Sequence, residues 1–262
     1  MTTFRNILLL WGILLTCLSI SSCEDIWNRC IDGNGTLAYA TRELQPFEKI
    51  QVNGDFEVQI DTGSESSVVI KADENLLDLV VTHVSGDQLI IEPRNNDCLR
   101  PSHRILITVT TPVLSDIHLD GSGYIHCQGL ETDELAINLQ GSGEIMFYSA
   151  KATSAVVYLQ GSGLISCGAF TENLTAQLEG SGEITMNGAS VNADLKIIGS
   201  GRINADQMTT DVCYAYISGS GRIDTQVNNA LDITIIGSGM VVYRGNPTVE
   251  SYISGSGKVI HQ

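Results

Sequence analysis

"IIGSGRIN" at residues 197–204 and "ISGSGRID" at 217–224 are nearly the same string, and "ISGSGKVI" at 253–260 repeats it near the C-terminus. The tripeptide Gly-Ser-Gly occurs eight times, with its serines at 122, 142, 162, 181, 200, 220, 238 and 256, spaced by 20, 20, 19, 19, 20, 18 and 18 residues. A fixed period of this size marks stacked supersecondary units. Aligned on the first glycine of each unit, the position two residues earlier holds Leu119, Leu139, Leu159, Leu178, Ile197, Ile217, Ile235 and Ile253. The position two after the last glycine holds Ile125, Ile145, Ile165, Ile184, Ile203, Ile223, Val241 and Val259. Four before the first glycine, Ile117, Ile137, Val157, Ala176, Leu195, Ala215 and Ile233 continue the pattern, which Ser251 interrupts.

These columns share one parity of a period-two pattern and so face one side of an extended chain. The opposite parity holds polar residues such as His118, Asn138, Gln140, Glu144, Glu183, Lys196, Arg202, Arg222 and Lys258. The paired glycines fall on the core parity: Gly121 and Gly123, Gly141 and Gly143, Gly161 and Gly163, Gly180 and Gly182, Gly199 and Gly201, Gly219 and Gly221, Gly237 and Gly239, Gly255 and Gly257. They are expected to mark corners where a narrow core leaves no room for a side chain, with the serine pointing out. A flexible linker would carry no aliphatic columns on both sides.

From six residues before the first glycine to four after the last, the alignment holds without a gap. All length variation falls in one segment per unit, for example 128–134 or 226–230, which is expected to turn along one side. The pattern predicts an all-β chain, a parallel β-solenoid of 18–20-residue coils with Gly-Ser-Gly corners over residues 111–262. Adjacent coils about 4.8 Å apart give a stack about 34 Å long over these repeats. A leucine-rich repeat has a similar period, but its leucine and asparagine signature is missing. Residues 43–110 alternate in "FEVQI", "SSVVIKA", "DQLII" and "RILITVT" without the glycine corner, and read as an N-terminal β-region that starts and caps the stack.

The first 22 residues, a charged start followed by "ILLLWGILLTCLSI", read as an export leader. "ISSC" resembles a lipobox, which makes Cys23 the expected lipidated residue, with Cys17 the alternative; residues 23–42 then read as anchor and tether. The chain carries a net charge of −16, and loss of Arg5 with the leader makes it one more negative. Such a charge repels nucleic acid and anionic lipid, so contact with a membrane is expected only through the lipid.

Of the remaining cysteines, Cys127, Cys167 and Cys213 occupy inward columns and serve as core filler. Cys127 and Cys167 lie two coils apart, about 9.6 Å by the strand spacing, beyond disulfide reach. Cys30 and Cys98 are the plausible bridge in an exported chain.

No residue pattern points to catalysis. A nucleophilic serine needs one oriented base, which eight equivalent serines cannot each have, and the corner is neither the hydrolase elbow nor a dinucleotide loop. His118, His126, Asp116 and Asp120 flank the first corner but lack a further ligand at diagnostic spacing, so they read as a solvated patch. Arg202 and Arg222, beside Asn204 and Asp224, read as a charge ladder between coils. No cofactor and no metal is expected.

The chain from about residue 46 onward resembles the auto-transporter adhesin family with a head GIN domain, found among exported proteins of Bacteroidetes. The resemblance rests on "VNGDFEVQIDTG", "VVIKADENLLDLV", "VSGDQLIIEP" and the repeated corner, including "GSGRIN" at 199–204. It implies a cell-surface β-solenoid lipoprotein with a binding or adhesive role, and it supplies no catalytic residues. Glu24 and Asp25 after Cys23 weakly resemble the surface-export signal of such lipoproteins.

The expected function is therefore a non-enzymatic binding module presenting a rigid face to a glycan or surface protein. The alternatives are a polysaccharide-acting enzyme on the same scaffold, or a structural envelope protein. No polar cap follows Val259, whereas solenoids ordinarily end in one, so pairing of two copies through the C-terminal edge is also expected.

Overall fold

The computed structural model describes residues 30–262; the expected leader, Cys23, Glu24 and Asp25 lie outside the described residues. The repeats form the predicted parallel β-solenoid. Leu119, Leu139, Leu159, Leu178, Ile197, Ile217, Ile235 and Ile253 are strand partners in unbroken succession from coil to coil. The first seven are fully buried, and burying each such side chain stabilises the stack by about 1.5–3 kcal/mol.

Extended structure runs almost the whole way round. Glu144–Gly161, Leu164–Gly180, Glu183–Gly199, Arg202–Gly219 and Arg222–Gly237 are continuous strands, separated only by the Ser-Gly of each corner. The variable segment, expected to be a turn, is strand as well, because every coil offers its neighbour a full row of backbone partners. Its length differences appear as register shifts between Phe147 and Ala150, between Thr185 and Asn187, and between Ala205 and Val212.

Each coil has three sides. In Glu144–Gly161 the buried residues form three runs: Ile145 with Phe147, Ala150 with Ala152, and Ala155 with Val157 and Leu159. Outward pairs, Tyr148 with Ser149 and Thr153 with Ser154, break the alternation where the chain bends. The third bend is the glycine corner.

The corner glycines differ from each other, and the parity reading accounts only for the second. Gly123 and its equivalents Gly143, Gly163, Gly182 and Gly201 are buried, and a β-carbon there would meet backbone and, from Gly143 onward, a leucine or isoleucine methyl of the coil below. The first glycine instead has positive φ, from 122° to 135° across the eight corners, and its missing β-carbon points along the stack. A β-carbon on Gly161 would stand 2.3 Å from the Gly141 carbonyl oxygen. That carbonyl accepts the Ser162 N–H at 3.0 Å and the Gly163 N–H at 3.1 Å, so the corner is hydrogen-bonded coil to coil and glycine is required for the approach.

The N-terminal β-region starts the stack out of chain order. Lys49–Asn53 and Glu57–Thr62 form a coil beneath the first repeat, with Val52 opposite Leu119 and Val58 opposite Ile125. Gly54, at φ 123°, takes the place of the first corner glycine, and the buried Phe56 takes that of the second. Gln88–Pro93 and Leu106–Thr111 lie parallel outside this coil. Antiparallel strands close the end: Val80–Ser85 on Gln88–Pro93, Ser67–Asp73 on Leu106–Thr111, and Leu37–Arg42 on Ser67–Asp73.

Leu37–Arg42 corrects the tether expected over 23–42. Its alternation, with Leu37, Tyr39 and Thr41 outward, is weak because only one face of this outermost strand meets the core. Cys30 and Cys98 are joined in a disulfide that holds Ile31–Asp32 against Leu99–Arg100. Asp73, fully buried, ties the same corner together by accepting N–H bonds from Ser102 at 2.7 Å and Gly35 at 2.9 Å. At the other end, among the described residues, Thr248–Gly255 and Lys258–His261 pair on one side only, and Ile253 is 40% exposed although its column is otherwise closed.

Candidate functional site

The side preceding the glycine corner carries one unbroken outward column. His118, Asn138, Tyr158, Gln177, Lys196, Tyr216, Thr234 and Tyr252 follow one another in strand register. Parallel stacking without shifts places these side chains about 4.8 Å apart along a straight line. Beside it run Asp194, Tyr214, Asp232 and Glu250 on one flank, and Gln140, Gln160, Glu179 and Ile198 on the other.

Tyr214, Tyr216 and Tyr252 all stand in the later coils. Tyr214 and Tyr252 are 55% and 64% exposed, and Lys196 Nζ lies 5.9 Å from the centre of the Tyr216 ring. Gln177 Nε2 donates to Glu179 Oε1 at 2.7 Å. Partial burial and the neighbouring Glu179 hold the Tyr158 hydroxyl above its ordinary pKa, so it remains a proton donor. A hollow of about 190 Å³ opens beside Tyr214, between Asp232, Thr248 and Glu250. Aromatic faces with amide and hydroxyl groups at regular spacing suit a ligand lying along the stack.

The four residues at the first corner are not brought together. His118 lies between Gln51 and Asn138, whereas His126 lies across the corner between Gln59 and Met146. Among the described residues no group of three or more His, Cys, Asp or Glu is placed to hold a metal ion. Asp116 is raised in pKa, chiefly by burial. The corner serines are exposed, and the hydroxyls of Ser238 and Ser256 lie 3.0 Å apart.

Cys127, Cys167 and Cys213 are buried free thiols, and burial pushes them to about 11, about 12 and about 12. Arg202 and Arg222 are in register, as are Asn204 and Asp224. The sequence pattern does not single out Tyr214, Tyr252, Asp206 or Arg244. The tyrosines are visible in it as outward-parity aromatics, but Asp206 and Arg244 lie in the variable segment, where alignment on the corner carries no register.

The class defined by this architecture is a β-solenoid display scaffold, a rigid stack whose outward columns repeat with the coil. Residues 46–247 match the family described as "putative auto-transporter adhesin, head GIN domain", and the chain belongs to that family. Among solved structures, a "putative lipid binding protein" from Parabacteroides distasonis is 28% identical, with 89% of this chain and 100% of that one covered at a TM-score of 0.86. A "putative adhesin" from Parabacteroides merdae is 22% identical, covering 88% and 98% at 0.84. Another from Bacteroides fragilis is 22% identical, covering 88% and 100% at 0.69. A comparison with curated proteins finds no match. The adhesin-like family is consistent with a binding role and with an exported, surface-associated protein. Among the described residues no helix is long and apolar enough to cross a membrane.

Proposed function

We propose that the protein is a non-enzymatic adhesion module, lipid-anchored through Cys23 at the outer membrane, that binds a glycan or a surface protein along its tyrosine column. The observation that carries this reading is the register-perfect row from Tyr158 to Tyr252, with exposed Tyr214 alongside. Rings held on a stiff sheet lose little freedom on contact, which favours affinity. A lipid ligand, as named for the Parabacteroides distasonis neighbour, is less well served. The coil interior is filled by side chains such as Ile137, Leu139 and Ile145, leaving an acyl chain no place inside those coils.

Residues 24–262 probed on an array of glycans and matrix proteins should bind one of them, and Tyr214→Ala with Tyr252→Ala should abolish that binding. Binding that survives the double variant would overturn the assigned face. Labelled fatty acid should mark the parent and not Cys23→Ala; label retained on the variant would move the anchor to Cys17, and a parent without label would remove it.

The outer edge of Thr248–Gly255, which has no strand partner among the described residues, supports a second proposed contact, end-to-end pairing of two copies. Light scattering should then show a dimer at high concentration. A monomer would leave adhesion to the lateral sides alone.

A further inference from the structure

We propose that the groove just past the glycine corners of the last coils binds an anionic sugar group, the carboxylate or sulfate of a charged polysaccharide. The groove, of about 250 Å³, is lined by Arg202, Asn204, Asp206, Arg222, Asp224 and Arg244. It lies across the corner from the tyrosine column and does not depend on that column being a binding face.

The arginines are arranged against coil stability. A ladder that ties coils together sets opposite charges in register; Arg202 has Glu183 on one side but Arg222 on the other, and the second is a like-charge pairing that destabilises neighbouring strands. Lys258 continues the same row one coil past Met240. In a chain of net charge −16 acids are plentiful, yet the row holds three cations in four coils. An anion seated between Arg202 and Arg222 removes the repulsion.

The cations are also held in place. Arg222 Nε donates to both Asp224 oxygens, at 2.7 Å and 3.0 Å, and that carboxylate is only 12% exposed. Arg244 Nη1 lies 3.3 Å from Asp206 Oδ2. Both acids of the groove are therefore occupied. Arg202, exposed, has no ion pair among the described residues; Glu183 beside it in register accepts from Thr185 Oγ1 at 3.4 Å. A free guanidinium next to a fixed one presents forked donors that match a carboxylate or sulfate.

The excess positive charge is small and local. Long-range repulsion from the rest of the chain disfavours a densely charged duplex. A polysaccharide with one charge per sugar at most meets that repulsion weakly and supplies hydroxyls to Asn204.

Equilibrium binding of the full chain to oligogalacturonate, lightly sulfated dextran with fewer than one sulfate per sugar, and neutral dextran at low ionic strength tests the site. One or both polyanions should bind in preference to dextran, and the preferred one identifies carboxylate or sulfate as the partner. Arg202→Gln should weaken that binding by about tenfold, about 1.4 kcal/mol, whereas Lys151→Gln, on another side of the coil, should leave it unchanged. With the repulsion gone, ligand-free Arg202→Gln should melt no lower than the parent. Equal binding of dextran and both polyanions, equal weakening by Arg202→Gln and Lys151→Gln, or a marked fall in the melting point of Arg202→Gln would each overturn the proposal.

Discussion

Gly237 lies over Gly219 so closely that a β-carbon on the upper residue would stand 2.4 Å from the carbonyl oxygen of the lower one, the same oxygen that accepts the Ser238 N–H at 2.8 Å. The contact is backbone on backbone, and Gly237 is at φ 122°. Two residues on, the nearest obstacle to a β-carbon at Gly239 is the Ile217 Cγ2 methyl at 2.6 Å. Gly237→Ala should therefore cost more than Gly239→Ala, the first exceeding about 1 kcal/mol from φ alone and the second falling near the lower end of the roughly 1–3 kcal/mol typical of overpacking. Ser220→Ala, at an exposed corner, should stay within about 0.5 kcal/mol. Urea unfolding of the three variants ranks them, and equal losses for the two glycines would contradict the assigned directions.

Acid should loosen the N-terminal cap first. Burial of Asp73 favours its neutral form, but N–H bonds from Ser102, His103 and Gly35 outweigh this and hold its pKa below the usual carboxylate value of 3.8. A lowered folded-state pKa contributes stability that is present above the unfolded value and lost as pH falls through the folded pKa. Thermal midpoints should thus drop below about pH 4, and Asp73→Asn should show a lower midpoint at neutral pH with a flatter acid limb. An unchanged acid limb in Asp73→Asn would assign the loss to other carboxylates.

The Cys30–Cys98 bridge closes 68 residues of separation. Its loss in Cys98→Ser should cost about 2–4 kcal/mol, the typical range for a native disulfide. Limited proteolysis should then cut within 31–42, because Leu37–Arg42 is the outermost strand of the cap, while the repeats beyond residue 111 stay resistant. Cleavage spread evenly along the chain would show that the cap and the repeats unfold as one unit.

Cys127, Cys167 and Cys213, with thiols near 11, 12 and 12 and side chains inside the coils, should not react with thiol reagents at pH 8 in the folded state. All three should react together once denaturant opens the stack, since the thiolate is the nucleophile. Rapid labelling without denaturant would place at least one of them at the surface.

The solenoid is legible in the sequence because its core columns repeat: alignment on one tripeptide is enough to order Leu119 through Ile253, and strand register follows that order residue for residue. The direction of the first corner glycine is not legible, since parity describes an extended chain and this residue is at positive φ. Leu37–Arg42 escapes for want of a second buried face. Tyr214 and Tyr252 are hidden for a different reason: an outward column carries no constraint from packing, so nothing in its periodicity separates a binding row from a solvated one. Asp206 and Arg244 meet across register shifts that a fixed period cannot follow.

The out-of-order start has a consequence for how the chain folds as it emerges. Residues 49–62 form the coil on which the first repeat stacks, but their outer partners, 88–93 and 106–111, are later in the chain. That foundation can be finished only after residue 111 has appeared, a long loop closure made once and at high entropic cost. Every later coil adds contacts about one coil away in sequence to a template already formed, the short-range situation that folds quickly. Assembly is thus slow to nucleate and fast to extend, in the direction of synthesis. A lesion in 49–111 should halt the whole stack, whereas one in 240–261 should leave a shorter but ordered one.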